Sequence, residues 1–261
     1  MKPIRNWLLL LFQLLVLFCT QSLQAQIKLG VTAFPQISML PGIVPFKKDL
    51  VNKKNLPTPT WGAGIQFVAD SRKSPWGIQT GVHYTAHNQT YVFNYKIADE
   101  RHIHRGKKRF DYLEFPVLLR RSGLIHKYVT SAWFAGAQFG YLLKYDGGLV
   151  VYDENNYFDL PPTRPNIFYK KYSVDLVLGW CLEHAISKHF DLFYGVKLDW
   201  GLNNVERRGV TYNGYQVFDA GGAHQVSLAL QLGAYYVFHR RDHLLLPTNT
   251  WRYRAYKRRR L

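Results

Sequence analysis

Cysteine is scarce: the 261 residues contain only Cys19 and Cys181. Cys19 falls in a segment with the features of a removable leader, so Cys181 would be left alone, and one thiol excludes an internal disulfide framework. Stability then has to come from the sheet itself. Long apolar runs are also missing. Beyond residue 25 no stretch has 18 consecutive apolar residues, which excludes a later transmembrane helix. No internal repeat beyond strand hairpins and no low-complexity linker is visible, so the chain reads as one domain. Ordered catalytic motifs such as G-x-S-x-G or H-E-x-x-H are absent. Acidic residues are few, 17 Asp and Glu against 34 Lys and Arg.

The first 25 residues read as a secretory signal peptide. Lys2 and Arg5 precede an apolar run from Trp7 to Phe18, and polar and small residues follow from Thr20 to Ala25. The run is too short to cross a bilayer as a helix. Cleavage is expected after Ala25, leaving residues 26–261. A lipoprotein signal ending at Cys19 is disfavoured by bulky Phe18, where a small residue is expected.

What remains alternates. In HFDLFYGVKLDWGL, residues 189–202, Phe190, Leu192, Tyr194, Val196, Leu198 and Trp200 share one face, and Asp191, Lys197 and Asp199 share the other. Period-2 segments of this kind recur near 27–37, 60–70, 76–87, 109–121, 129–145, 168–185, 189–203 and 223–238. Pro35 makes the first the weakest. The connections alternate strictly between long (41–59, 88–108, 146–167, 204–222) and short (71–75, 122–128, 186–188). That is the layout of a transmembrane barrel with outer loops and periplasmic turns, both chain ends lying inside. A Greek-key sandwich gives no reason for it. Mean hydropathy is −0.21 although 16% of residues are aromatic, a combination that suits strands whose alternate residues touch lipid. Asn213-Gly214 within VTYNGYQVF signals a type I′ hairpin, by which the seventh and eighth strands would continue above the membrane.

The expectation is an all-β, eight-stranded antiparallel transmembrane barrel over residues 26–238, with a basic periplasmic tail at 239–261. Trp61, Trp76, Trp133, Trp180, Trp200 and Tyr236 are placed as interfacial girdle residues. By strand parity Glu114, Arg120, Lys144, Asp175, Glu183, Lys197 and Asp199 point inward, with Gln66, Gln79, His83, Gln138 and Gln231. An eight-stranded lumen is just wide enough for side chains to fill it, so these charges are expected to form a plugging network of ion pairs.

Two short segments carry a resemblance. YLEFPVLLR, residues 112–120, resembles a segment of the PorT-like outer-membrane barrels of Bacteroidetes-type bacteria. QLGAYYVF, residues 231–238, resembles the β-signal by which the barrel-assembly machinery recognises its clients, carried here by Gln231, Gly233, Tyr236 and Phe238. The resemblance implies an outer-membrane barrel with a role in a protein-secretion machinery. The sequence departs from the signal's usual terminal placement, because residues 239–261 follow it.

The remaining candidates for chemistry are modest. His102 and His104 could start a metal site, but no Cys or carboxylate follows at ligand spacing and Arg101, Arg105, Lys107 and Lys108 crowd them, so a solvated loop is expected. His83 and His87 share a strand face and read as lumenal or rim residues. A Ser/His/acid enzyme is disfavoured for want of an ordered motif. No catalytic residue, metal or cofactor is expected. Without Lys2 and Arg5 the net charge is +15. Eight of those cations lie in the tail, where Trp251, Arg252, Tyr253, Arg254, Lys257, Arg258, Arg259 and Arg260 are candidates for docking on envelope proteins or anionic cell-wall or lipid groups. The basic second loop would suit the phosphates of surface lipopolysaccharide. Nucleic acid is excluded by compartment. The expected function is therefore a non-enzymatic accessory or scaffold barrel in contact with outer-membrane lipid. A narrow passive pore or small-ligand barrel is the alternative, and a lipid-modifying enzyme comes after it.

Overall fold

The computed structural model describes residues 25–39, 51–71, 74–97, 100–126, 128–147, 149–153, 156–160, 169–205, 210–212, 215–217 and 224–238. The expected leader, apart from Ala25, and the whole expected tail lie outside them. In chain order the strands are β1 (Ala25–Met39), β2 (Val51–Leu56), β3 (Thr58–Ser71), β4 (Trp76–Ile97), β5 (Glu100–His126), β6 (Val129–Gly147), β7 (Leu149–Asp153), β8 (Asn156–Leu160), β9 (Tyr172–Ala185), β10 (Phe190–Gly201), β11 (Val210–Tyr212), β12 (Tyr215–Val217) and β13 (Val226–Val237). Eight of them close into an antiparallel barrel in the order β4-β3-β1-β13-β10-β9-β6-β5, with β5 returning onto β4. β2 follows the line of β3 along β4, separated from it by Pro57.

The short connections join Ser71 to Trp76, His126 to Val129 and Ala185 to Phe190. All three lie at one end of the barrel, and the strand ends that border the long connections lie at the other. The long connections contain more strand than the sequence suggested. The second is no loop, because β4 and β5 stay paired out to Ile97 opposite Glu100. The third contains the β7–β8 hairpin. In the fourth, Tyr212 stands opposite Tyr215, and Asn213-Gly214 lies outside the described residues. That hairpin is a sheet of its own and not a continuation of the barrel strands. The wall stops below it, where Gly201 N donates to Gln225 O and Leu202 N turns to Val174 O.

Pro35 does not interrupt β1. Its pairing with Trp61 on β3 is kept, and the missing rungs fall on the β13 side, between Ala33↔Leu232 and Gln36↔Ala229. A proline lacks the N–H that one ladder needs, so it can sit in a strand at the cost of a local gap on one side.

One irregularity reassigns a residue. β5 and β6 pair as Asp111↔Lys144 and then as Tyr112↔Leu142, so Leu143 is an extra residue in a β-bulge. Up to Leu142 the even positions of β6 face inward. Beyond the bulge the parity flips, Tyr145 turns inward and Lys144 becomes exposed. Lys144, expected in the lumen, therefore stands on the outer wall.

Elsewhere alternation governs the two faces. On β13, Leu228, Leu230 and Leu232 are exposed while Ser227, Ala229 and Gln231 are buried. An apolar surface of this extent is incompatible with water but matches hydrocarbon. Aromatic pairs bracket it: Trp61–Tyr84 and Tyr141–Tyr172 toward the long connections, Trp133–Trp180 and Phe190–Tyr236 toward the short ones. From Trp133 to Tyr141 on β6 a strand rising about 3.3 Å per residue at roughly 40° tilt climbs about 20 Å, close to the apolar band of such barrels.

Candidate functional site

Inside the barrel the side chains form layers. The layer nearest the short connections draws one charged residue from each of five strands: Lys28 (β1), Asp70 (β3), Arg120 (β5), Glu183 (β9) and Asp191 (β10). Lys28 Nζ donates to Glu183 Oε2 at 2.6 Å and lies 3.6 Å from both Asp70 Oδ2 and Asp191 Oδ2. Arg120 Nη2 is 2.5 Å from Glu183 Oε1, and Arg120 Nε is 3.2 Å from Asp70 Oδ1. Both contacts are charge–charge approaches off the hydrogen-bond direction. Burying these ions is costly, and the cost is offset only when each finds opposite charge.

Apolar packing follows. Val68, Phe193 and Tyr235 form one cluster, and Leu118, Ala132, Phe134, Val177 and Cys181 form another. Tyr235 Oη donates to Gln66 Oε1 at 2.7 Å. Glycines on the wall make room for the rings. A Cβ on Gly62 would collide with the Phe34 ring, and one on Gly179 with Phe134.

A second polar layer lies toward the long connections. Thr85 Oγ1 donates to Glu114 Oε2 at 2.7 Å, and His87 Nε2 lies 2.9 Å from Glu114 Oε1. The side-chain amide of Gln225 reaches the same imidazole nitrogen at 2.7 Å. Lys197 Nζ is 3.0 Å from Asp199 Oδ2 and donates to Gln138 Oε1 at 3.3 Å, and Ser227 Oγ donates to Asp199 Oδ2 at 2.9 Å. Asp175, on β9, is buried here too. Above it Phe110, Tyr145 and Tyr169 pack ring on ring, with centroids 4.5 to 5.0 Å apart. Lys108 Nζ lies over the Tyr91 and Tyr169 rings. These aromatics cap the lumen.

Of the seven charges expected inside, Glu114, Arg120, Asp175, Glu183, Lys197 and Asp199 are lumenal and at most 3% exposed, and Lys144 is not. Gln66, Gln79, His83, Gln138 and Gln231 also face inward. Two charged members, Lys28 and Asp70, are absent from the expected lumenal set, and Asp191, placed on the charged face of its strand with Lys197 and Asp199, joins it. Asp70 shares strand parity with Gln66, and Asp191 with Lys197, so alternation alone was signal enough for both. Lys28 lies on the strand whose alternation Pro35 weakens.

Gln231, Gly233, Tyr236 and Phe238 lie on or beside β13, the strand that closes the barrel onto β1. Phe193 packs on Gly233, Tyr236 stacks on His189 at 5.6 Å, and Phe238 stands edge-on to Tyr236 at 5.0 Å. His102 and His104 lie on β5 opposite Tyr95 and Phe93, and their side chains fall outside the described residues. Among the described residues no group of three His, Cys, Asp or Glu side chains is arranged around a metal position. The candidate docking residues from Trp251 to Arg260 lie outside the described residues.

The pattern of the family described as outer membrane protein beta-barrel domain matches residues 20–207. No curated protein matches the chain in sequence. Similar solved structures include OprG of Pseudomonas aeruginosa, 11% identical with a TM-score of 0.42, covering 83% of this chain and 98% of that one. The outer-membrane protease OmpT of Escherichia coli is 9% identical with a TM-score of 0.48, covering 82% and 97%. Ail of Yersinia pestis, solved with a heparin analogue, is 11% identical with a TM-score of 0.39, covering 82% and 99%. At such identities and scores no ligand or activity passes from them to this chain. The family match spans more than two thirds of the chain, and the chain accordingly belongs to the outer membrane protein beta-barrel domain family, which locates it in the outer membrane.

Proposed function

We propose that the protein is a closed, non-enzymatic barrel that serves as an accessory or scaffold component of the cell envelope. The observation that carries this reading is the complete burial of Arg120 and Glu114, each 0% exposed, in two separate lumenal layers. A passage wide enough for water alongside either side chain would leave it accessible. His87, the best-placed lumenal base, is engaged by Glu114 and Gln225 inside such a layer, where a substrate has no access. A lumen filled at both layers leaves the barrel to act through its surfaces. In this reading residues 1–25 are a cleaved leader, the long connections face outward, and both ends of the mature chain are periplasmic. The tail docks on envelope proteins through Trp251 and its basic neighbours, and Gln231, Gly233, Tyr236 and Phe238 are read by the barrel-assembly machinery. The likeness of YLEFPVLLR to PorT-like barrels supports a place beside a protein-secretion machinery.

Affinity capture from solubilised outer membranes tests it, with the intact chain compared against a version stopped after Phe238. Specific envelope proteins should co-purify with the intact chain and be lost on truncation. Identical captures from both would remove the tail from the account.

A further inference from the structure

The bulge at Leu143 places Lys144 on the outer wall, and it has company there. On β5, Arg105, Lys107 and Arg109 are all exposed at every second position, so they form one row with about 6.7 Å between neighbours. Lys144 stands across from this strand on β6, paired in register with Asp111. Arg109 is held in place: its Nε donates to Asp111 Oδ1 at 2.7 Å and its Nη2 to Tyr84 Oη at 3.2 Å. Asp146, opposite Arg109, is the other acid of the patch. Among the described residues four cations therefore face two carboxylates, and one of those, Asp111, is already buried beneath Arg109.

The level of the patch matters as much as its charge. Tyr84, Leu113, Tyr141 and Tyr172 are in register across β4, β5, β6 and β9, so they form one row around the wall. Tyrosines of this kind mark the upper boundary of hydrocarbon. Arg109 lies four residues beyond Leu113, about 10 Å higher after tilt, and Lys144 lies three residues beyond Tyr141. Below the row, Phe115, Val117 and Leu119 on β5 are exposed and apolar. One strand face thus offers apolar side chains to acyl chains and, directly above them, cations to whatever headgroup those chains carry. A pocket of about 720 Å³ opens at this level between the β2–β3 junction and β6, with Pro59, Thr90, Lys107, Lys108, Arg109 and Asp146 in its lining.

We propose that the outer wall of β5 and β6 at the long-connection end binds the phosphate groups of an outer-leaflet glycolipid, with Lys107, Lys144 and Arg105 as direct contacts and Arg109 as the pre-oriented one. Each cation beside an anionic lipid surface contributes on the order of 1 kcal/mol. Phosphate needs such point charges at a level where the acyl chains can still pack below, and this wall supplies both. The proposal takes from the preceding section only the outward orientation of this end. Lipid retention by the purified barrel is read separately from capture of envelope proteins.

The test titrates full-length protein in detergent micelles with diphosphorylated lipid A, with the same lipid A after phosphatase treatment, and with phosphatidylglycerol. Bound lipid is counted by native mass spectrometry. The diphosphorylated form should be retained in preference to both others. Lys107→Gln with Lys144→Gln should weaken its binding about tenfold to thirtyfold, whereas Lys107→Arg with Lys144→Arg should preserve it. Arg121→Gln, at the short-connection end beside Trp76, should leave it unchanged. Equal retention of the dephosphorylated lipid or of phosphatidylglycerol, or unchanged binding in the Gln pair, overturns the proposal.

Discussion

Arg120 and Glu183 meet inside the barrel, Nη2 to Oε1 at 2.5 Å, although β6 stands between their strands in the wall. The contact crosses the lumen instead of following the sheet, so it ties together segments that the hydrogen-bond ladder leaves apart. Lys28 meets the other oxygen of the same carboxylate from β1. One glutamate thereby joins three strands.

Removing Arg120 should leave Lys28 to balance the buried carboxylates of Asp70, Glu183 and Asp191 by itself. Arg120→Met is expected to destabilise the barrel by about 3–5 kcal/mol, the usual cost of breaking a buried pair from one side. Adding Glu183→Gln should recover part of the loss. Urea unfolding of the micelle-bound protein, followed by tryptophan fluorescence, measures both. An unchanged midpoint in Arg120→Met would mean that the pair does not hold the lumen together.

The placement of Lys144 has a direct chemical readout. Lys144→Cys should react with a polar maleimide in the folded, purified barrel, while Gln138→Cys on the same strand should not. The native thiol of Cys181 is 1% exposed and should remain silent. Protection of the thiols in both Lys144→Cys and Gln138→Cys would restore unbroken alternation along β6 and remove the bulge.

The ring–glycine fit is equally testable. Gly62→Ala places a methyl group against Phe34 and should cost about 1–3 kcal/mol through overpacking. Phe34→Leu in the same chain should return part of that, because the obstructing ring is gone. Additive losses in the pair would show that the two residues do not touch.

Much of this barrel was legible in alternation alone. The eight wall strands, the greasy outer face and six of the seven named lumenal charges follow from period 2, because lipid outside and packed polar groups inside impose opposite demands on neighbouring residues. The misreadings have separate physical causes. Lys144 escaped because a bulge shifts parity and leaves no mark in composition. Lys28 escaped because Pro35 weakens the pattern, although its missing N–H affects only one ladder. The outer half of the β4–β5 hairpin read as a loop because both of its faces leave the hydrocarbon there, and without lipid the pressure for alternation lapses. Gln89 opposite Lys108 and Thr90 opposite Lys107 are strand pairs that no apolar pattern announces.

Conductance decides whether the lumen is closed. Full-length protein reconstituted into planar bilayers should give no defined single-channel steps, because both charged layers and the aromatic cap close the lumen. Replacing Arg120 and Lys197 together by alanine should raise leak without affecting lipid insertion. Stable, reproducible channels from the unmodified protein would contradict the closed-scaffold account and return the lumenal charges to the role of a pore lining.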